Sequence, residues 1–477
     1  MSNRYISGVG TALPLLRMER AAAVKALKFS GLGGRGAGFR AFSSWDEDAV
    51  TLAVEAARTL GTGVGAVTFA STSAPFTERS HATLLSEALS LPATVRTNDV
   101  AGSRRSAISA LIQALLGTET GLVVAGEART VPAGNPLHLA YGDGGAAVRV
   151  GDEGAARLIG HASLSQDFID LYASREHPSP YAYEERFVRE TAVAQIIVPT
   201  IKRACASAGI EPARISFAAV HEPVSGCWRD IAKAAGLTAP NVAADVSLAA
   251  GDLGAAHVLF AFALACHKAK PGDLILLAGF GSGCDALIVE MTATMPGAQA
   301  ADEMLATGLA TSDTLRFLSL SGALNLDWGV RSEFEQKAQA TAIERYGRDM
   351  IGFIGGRDSR GNVQFPKSRI PVHPDGDGPE ALEDVRLADL PAKLISVTAD
   401  RLNFSPDPPF WFGLVQFENG ARLMMEFTDA LAEGFKVGDK VRMQLRIKSH
   451  DKRRGFRTYF WKAAPFKRPS MNNNAEG

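Results

Sequence analysis

The sequence predicts a duplicated α/β fold followed by a small β module, and three observations carry that reading. Thr97–Leu116 (TNDVAGSRRSAISALIQALL) reads as a short strand, a tight turn and a long apolar helix. The same order returns far down the chain. Phe217–His221, Ala249–Leu264, Leu274–Ala278 and Gly279–Glu290 again run strand, small-residue turn, helix, strand, glycine turn and strand. A repeat of such long period implies two similar α/β halves packed together. After Met291 the pattern changes to a Pro/Gly/Ala linker, short helices and then strand-sized runs.

A chain of 477 residues exceeds what one core usually supports, so two or three domains are expected. Hydrophobic residues at 46% and charged residues at 21% describe an ordinary soluble globular protein. A net charge of −1 gives no electrostatic reason to expect nucleic acid or an anionic membrane surface. Cys205, Cys227, Cys266 and Cys284 lie far apart, which supports neither a disulfide scaffold nor a cysteine zinc site. The N-terminus MSNRYISG has no apolar signal core and no run approaches the length of a membrane span, so a cytoplasmic location is expected.

Tyr5–Leu15 reads as an opening strand ending at Pro14. Gly31–Gly38 is glycine-rich but follows no clear strand, so it reads as a loop rather than a dinucleotide fingerprint. Ser44 is expected to cap a helix whose first turn, Asp46, Glu47 and Asp48, suits the helix dipole. Gly65–Ala70 is a buried strand with Ser71, Thr72 and Ser73 at its end, where ligands of α/β sheets lie. In the turn of Thr97–Leu116, Asn98, Asp99 and Gly102 supply turn chemistry and Ser103 is placed to cap the helix. Its apolar positions are Ile108, Leu111, Ile112 and Leu115. Such a strand-to-helix turn sits at the positive end of a helix dipole, where enzymes hold anions or activate nucleophiles. Tyr181–Ala208 reads as a long helix, and Ile215–Val220 as the strand that delivers His221 and Glu222 before Pro223.

Beyond the linker, Ala392–Ala399, Phe410–Phe417, Ala421–Phe427, Lys440–Lys448 and Arg457–Lys462 are strand-like, and Glu418-Asn419-Gly420 is a hairpin signal. Five short strands fit a small OB barrel, whose Phe410, Trp411, Phe456 and Trp461 are of the type that stacks on bases. The tail after Pro469 is expected to be disordered.

With these elements placed, the chain resembles the thiolase-like superfamily, and within it the prokaryotic 3-hydroxy-3-methylglutaryl-CoA synthase branch. The resemblance rests on Trp45–Arg58 (WDEDAVTLAVEAAR), Ser71–Leu85 (STSAPFTERSHATLL), Asn98–Ser106 (NDVAGSRRS), YGDGGAA, HEP and GFGSG, and covers Arg4 to about Met291. It implies a duplicated five-layer thiolase fold, followed by the OB-fold domain that often accompanies such acyl-CoA enzymes. The domains expected are 1–165 and 166–292 for the halves, 293–350 for linker and helices, 351–389 for a ribbon, 390–466 for the OB-fold and 467–477 for the tail. In related partner domains the ribbon carries four zinc-binding cysteines. Here Asp358, Arg360 and Gly376 stand near those places, and the one His373 cannot supply a site, so a degenerate zinc ribbon without metal is expected.

The chemistry of such enzymes needs a thiolate nucleophile, a histidine that moves protons and backbone N–H groups that hold an oxyanion. Laid on the branch's motifs, the nucleophilic cysteine falls on Arg104, beside Ser103. The general-base glutamate falls on Thr72, and the asparagine on Ala250 or close to Gly251 and Asp252. The histidine survives as His221 and the glycine turn as Gly281 and Gly283, whose N–H groups are placed, with Thr72 and Ser73, toward a substrate oxyanion. Asp252 either orients or replaces a base or caps the following helix. Arg35 and Arg40 are candidate CoA-phosphate ligands or solvated loop charges. Cys227 and Cys284 lie near His221 and the glycine turn and read as buried hydrophobes more readily than as nucleophiles.

Three functions are compatible with this pattern. The first is CoA-dependent carbon–carbon bond chemistry, thiolytic, retro-Claisen, retro-aldol or acyl-transfer, on a β-keto or β-hydroxy acyl substrate without the usual cysteine. An aromatic β-keto acid with its carboxylate on Arg104 fits it. The second is a 3-hydroxy-3-methylglutaryl-CoA synthase-type condensing enzyme, and the third a non-catalytic thiolase-like partner protein. The expected ligands are coenzyme A or acyl-CoA and a small acyl substrate, with no metal, nucleic acid or membrane. The resemblance also implies a homodimer or dimer of dimers through Leu91–Asp99.

Overall fold

The computed structural model describes residues 4–31, 36–61, 63–174, 176–182, 184–327 and 347–471. The first half runs β1 (Tyr5–Ala12), α1 (Ala49–Ala57), β2 (Ala66–Ala70), α2 (His81–Ala88), β3 (Arg96–Val100), α3 (Ser106–Leu116), β4 (Gly121–Glu127) and β5 (Gly144–Gly151). The second repeats that order with β6 (Ala156–Ser165), α4 (Val198–Ala208), β7 (Phe217–Val220), α5 (Trp228–Ala235), α6 (His257–Lys268), β8 (Leu274–Phe280) and β9 (Gly283–Met291).

All nine strands form one sheet of order β7-β8-β9-β6-β1-β5-β4-β2-β3. Each half is a mirror of the other in strand order about the short β1–β6 pairing, with β2 parallel to β4 and β7 parallel to β8. The expected half boundary at 165 needs correcting. β6 pairs with β9 along its length, so by topology the second half opens at Ala156. The expected helix Tyr181–Ala208 starts later, at Glu185, and contains a π-helical stretch, Val188–Ile197.

Among the described residues the second half has no counterpart of β3. Its place is taken by Asn241, which forms a single parallel bridge to Ala218. The Asn241 amide then imitates a strand: Oδ1 accepts the Val220 N–H at 3.0 Å and Nδ2 donates to the Val220 carbonyl at 2.9 Å. One side chain thus satisfies the edge of β7 one residue before His221.

Helices α3 and α6 form the middle layer. Ile108, Leu111 and Leu115 of α3 share a core with Phe260 and Phe262 of α6, with Val123 and Val148 on one side and Ile275 and Leu287 on the other. Strands of both halves of the sheet pack around α6, which explains why it is buried from His257 to Cys266: a helix apolar all round belongs in an interior. The expected Ser103 cap is not how α3 starts. Arg105 is the residue before its first turn, and Ser103 instead donates its hydroxyl to the Gly281 carbonyl at 2.7 Å. Helix α1 is likewise capped by Asp48, not Ser44, in a capping box with Thr51.

Helix Gln299–Ala306 begins inside the expected linker, and Leu309–Thr311 pairs with Leu16–Glu19, so this connection lies against the first half. Residues 328–346 of the linker region lie outside the described residues. A three-stranded sheet (Ile354–Arg357, Val363–Gln364, Glu383–Arg386) follows. Then come six strands: β10 (Ala392–Leu394), β11 (Thr398–Asp400), β12 (Phe410–Phe417), β13 (Arg422–Glu426), β14 (Lys440–Asp451) and β15 (Phe456–Pro465). The first expected strand is split into β10 and β11, and the hairpin at Gly420 forms with a left-handed φ of 87°. A bridge between Phe427 and Ala463 joins the β13 and β15 edges. Trp461 is buried and donates to the Ile351 carbonyl at 2.6 Å, so it is no stacking surface for bases.

The acidic triplet before α1 docks this module. Asp46 meets Lys462 at 3.1 Å, Glu47 pairs with Arg446, and Asp48 accepts Arg457 and the Tyr459 hydroxyl at 2.8 Å each. These carboxylates are buried partners of distant cations rather than a solvated first turn. The tail also departs from expectation. Arg468 is hydrogen-bonded to the Leu13 and Pro14 carbonyls, and Ser470 bridges to Thr307, while residues 472–477 lie outside the described residues.

Candidate active site

Three of the expected residues, Arg104, His221 and Asp252, converge where the two halves meet. Arg104 leaves the turn after β3, His221 follows β7, and Asp252 lies in the turn before α6. His221 continues the sheet through its N–H, which donates to the Ala278 carbonyl at 2.9 Å. Its Nε2 lies 3.3 Å from Arg104 Nη1 and 3.4 Å from Asp252 Oδ2. A guanidinium only donates and a carboxylate only accepts, so a neutral ring satisfies one of these contacts at a time. With its proton on Nε2 and aimed at Asp252, the ring leaves Nδ1, which is buried without a hydrogen-bond partner, as a free base.

Arg104 is not the open anion receptor the sequence suggests. Its Nη2 is bound to Asp170 and its Nη1 lies 3.3 Å from Asp252. Burial disfavours the charge, but Asp170 and Asp252 outweigh it and raise the guanidinium pKa. Asp252 is held from several sides. Oδ1 caps the Gly254 N–H at 2.8 Å and lies 3.5 Å from Arg129, which also donates to the Asp252 carbonyl. Burial would push this carboxyl up, yet Arg129, His221 and Arg104 hold it well below the usual carboxylate range. Asp252 therefore caps the turn before α6 with one oxygen while the other faces His221 and Arg104. Two arginines and two aspartates around His221 nearly cancel in charge.

Three of the four expected oxyanion residues, Thr72, Ser73 and Gly281, are otherwise engaged. Thr72 donates its N–H at 2.8 Å and its hydroxyl at 3.0 Å to Glu127 Oε1, and Ser73 Oγ donates to Oε2 at 2.5 Å. The Gly281 N–H donates to the Gly283 carbonyl at 3.0 Å. Gly283 is needed for space, because a Cβ there meets the Leu164 carbonyl at 2.3 Å and φ is 116°. Arg40 is buried, with its guanidinium on the His138 carbonyl and over the Phe317 ring, so it is not a solvated loop charge. Arg35 lies outside the described residues. All four cysteines are buried, and burial pushes the Cys227 and Cys284 thiols up to about 12, so neither is a thiolate at neutral pH.

Sequence reading missed Glu127. It ends β4, is fully buried, and accepts the Ala255 N–H of the second half at 3.1 Å besides Thr72 and Ser73. The register of β2 against β4 sets Ala70 opposite Ala125, so Glu127 stands abreast of Thr72. The signal was a carboxylate closing an apolar run at a strand's carboxyl end. Asp170 and Arg129 were missed as well, and neither sits in a motif that distinguishes it from a surface charge.

A cavity of about 1650 Å³ lies between the first half and the C-terminal strands, and Arg129, the partner of Asp252, is part of its wall. Among the described residues no group of His, Cys, Asp and Glu is arranged to hold a metal, and no helix is long and apolar enough to cross a membrane.

Residues 205–291 match a family model described as 3-Oxoacyl-[acyl-carrier-protein (ACP)] synthase III C terminal. Hydroxymethylglutaryl-CoA synthase of Pyrobaculum neutrophilum is 30% identical over 266 residues, 52% of this chain and 75% of the relative. Its counterpart from Aeropyrum pernix is 28% identical over 259 residues, 51% of this chain and 72% of the relative. Among solved structures, HMG-CoA synthase complexed with CoA superposes with a TM-score of 0.52 at 17% identity, covering 67% of this chain and 87% of the other. The mixed α/β architecture is thus thiolase-like, with a large central sheet and additional C-terminal sheets.

Proposed function

The chain belongs to the hydroxymethylglutaryl-CoA synthase family, and we propose that it makes or breaks a carbon–carbon bond beside a thioester carbonyl without an acyl-cysteine. The observation that carries this reading is Arg104. It stands where the family resemblance puts the nucleophilic cysteine and is held against His221 and Asp252.

In the thiolytic direction a β-keto acyl substrate and coenzyme A exchange one bond. The CoA sulfur adds to the β-carbonyl carbon, the bond from that carbon to the α-carbon breaks, and the electron pair leaves as the enolate of the second carbonyl. His221 takes the thiol proton and returns it to the enolate carbon, so one acyl-CoA and one shortened acyl product result. Asp252 steadies the imidazolium formed in between, and Arg104 keeps the ring in place and lends its field to the oxyanion. Because Asp170 and Asp252 already balance Arg104, a substrate carboxylate would bring an uncompensated buried charge, whereas a thioester carbonyl would not. This favours acyl thioesters over free β-keto acids. Ser103 is a weaker nucleophile candidate, since its hydroxyl is spent on the Gly281 carbonyl.

The rest of the proposal concerns the modules. The C-terminal strands would be an OB barrel, and 351–389 a ribbon whose metal has been replaced by hydrogen bonds. In that segment Asp358 accepts the Arg360 N–H at 3.0 Å and the Asn362 N–H at 2.7 Å. Elemental analysis should find less than stoichiometric zinc. A homodimer through the exposed edge strand β3 is proposed from the family resemblance. Sedimentation giving only monomer at micromolar concentration counts against it.

The deciding experiment is a single turnover with radiolabelled acetyl-CoA and acyl-CoA substrates. CoA-dependent product with no radiolabel on the denatured protein is the expected result. An acyl-protein would restore a covalent synthase mechanism, and no product at all would favour a non-catalytic partner.

A further inference from the structure

We infer that His257 is a positioning residue of the candidate site, holding both partners of the His221–Asp252 contact through one buried ring. Its bearing on catalysis rests on the acyl-CoA reading above, whereas the contact itself rests on distances. Helix α6 is apolar from Val258 to Cys266 but opens on a buried histidine. A leucine would fill that space with no polar group to satisfy, so the two ring nitrogens need partners of their own. Nδ1 lies 3.2 Å from the Leu253 N–H, which can only donate, so Nδ1 carries no proton. The proton is therefore on Nε2, 3.3 Å from the Ser247 hydroxyl of the helix Ala243–Ala249.

The neighbouring N–H groups of the turn have other acceptors. Asp252 donates to the Ala140 carbonyl at 2.9 Å, Gly254 to Asp252 Oδ1 at 2.8 Å and Ala255 to Glu127 at 3.1 Å. His257 takes the donor of the peptide that joins Asp252 to Leu253, and so fixes the direction in which the Asp252 side chain leaves the backbone. The same ring meets the His221 ring edge-on, with centroids 5.8 Å apart and planes at 84°. One side chain thus touches the peptide beside Asp252 and the ring of His221, two groups set 3.4 Å apart. The charged groups facing His257 are Asp252, His221 and Arg129, together with the Ala243 carbonyl. Burial lowers the ring to about 4, Asp252 opposes this, and His221 and Arg129 add to the lowering. The first position of a helix also disfavours a cation. His257 therefore stays neutral, with Nδ1 bare, while His221 beside it gains and loses its proton.

The test follows deuterium entering the methyl group of acetyl-CoA in heavy water, a probe in which His221 removes a proton and returns a solvent deuteron. His257→Leu should lower kcat about ten- to a hundred-fold with KM unchanged, because the ring positions the base without touching substrate. His257→Asn, whose Oδ1 can accept the Leu253 N–H in place of Nδ1, should recover most of that loss although it leaves a larger void. An Asn variant that is less stable than the Leu variant yet more active is a pattern that stability alone does not produce. Wild-type kcat in His257→Leu, or an equal loss in both variants, overturns the inference. NMR of histidine-labelled protein gives a second readout that needs no turnover. It should show His257 protonated at Nε2 alone, with the His221 resonances displaced in His257→Leu and restored toward wild type in His257→Asn. A proton on Nδ1, or unmoved His221 resonances, overturns the positioning role at any level of activity. A wild-type chain that exchanges no deuterium, with these resonances as expected, overturns the acyl-CoA reading and not the contact.

Discussion

Thr72 and Glu127 stand side by side on neighbouring strands, and the Thr72 N–H and hydroxyl both donate to the Glu127 carboxylate. The position that the family resemblance gives to a glutamate is therefore a threonine, with a carboxylate one strand over. Glu127 also reaches the Ala255 N–H, so it ties the end of β2 to the approach to α6.

Glu127→Gln should be destabilising. The amide oxygen can keep the Thr72 and Ala255 N–H groups, but its NH₂ then faces the Ser73 hydroxyl, which must turn to accept and loses its carboxylate acceptor, at a cost of about 1 kcal/mol. A drop in the denaturant midpoint with unchanged slope is the expected record. An unchanged midpoint would mean that the carboxylate is dispensable.

Arg104→Ala should lower turnover about ten- to a hundred-fold, the equivalent of losing a charge-assisted contact of about 1.5–3 kcal/mol. Arg104→Lys should recover only part of it, because an ammonium cannot span Asp170 and Asp252 as a planar fork does. Ser103→Ala should be mild. An inactive Ser103→Ala beside an active Arg104→Ala would make Ser103 the nucleophile.

Asn241→Ala removes both hydrogen bonds to the Val220 backbone, immediately before His221. Each buried backbone group left unpaired costs about 1–3 kcal/mol, and the histidine loses its brace. The expected signature is a fall in kcat, and a shift of the pH–rate profile, beyond what the loss of stability explains at temperatures where the variant is folded. A variant that is less stable but has the wild-type profile would reduce Asn241 to a structural role.

Acid should weaken the contact between α1 and the C-terminal strands. Burial would raise the Glu55 carboxyl, but Arg442 and Arg58 bring it down to about 2 from an ordinary 4.5. A depressed pKa means that the unfolded chain takes up the proton first. The stabilisation is complete above about pH 4.5 and fades as pH falls toward 2. Calorimetric midpoints between pH 6 and 3 should fall less steeply in Glu55→Gln, which is itself less stable at neutral pH. Equal slopes would assign the acid sensitivity to other carboxylates, such as Asp46.

The legible parts of the sequence were those whose meaning is local. The apolar stripe of α3, the Gly420 hairpin and the strand carrying His221 are set by spacing and turn chemistry within a few residues, and the structure has them as read. Asp46, Glu47 and Asp48 were misread for the converse reason. A helix-dipole argument looks only at neighbours in sequence, whereas Lys462 and Arg457 lie about four hundred residues downstream. Arg40 reads from the sequence as a CoA-phosphate ligand or a loop charge because nothing nearby announces Phe317 or the His138 carbonyl. Arg104 does lie against His221 and Asp252, but Asp170, which claims it, lies in a stretch without a motif.

The acidic triplet has a consequence for how the protein is made. Asp46, Glu47 and Asp48 are translated about four hundred residues ahead of the Lys462, Arg446 and Arg457 that neutralise them. Until then the nascent first half carries a patch of uncompensated carboxylates that cannot be dehydrated cheaply. Its docking face therefore stays wet and unsealed until β14 and β15 arrive.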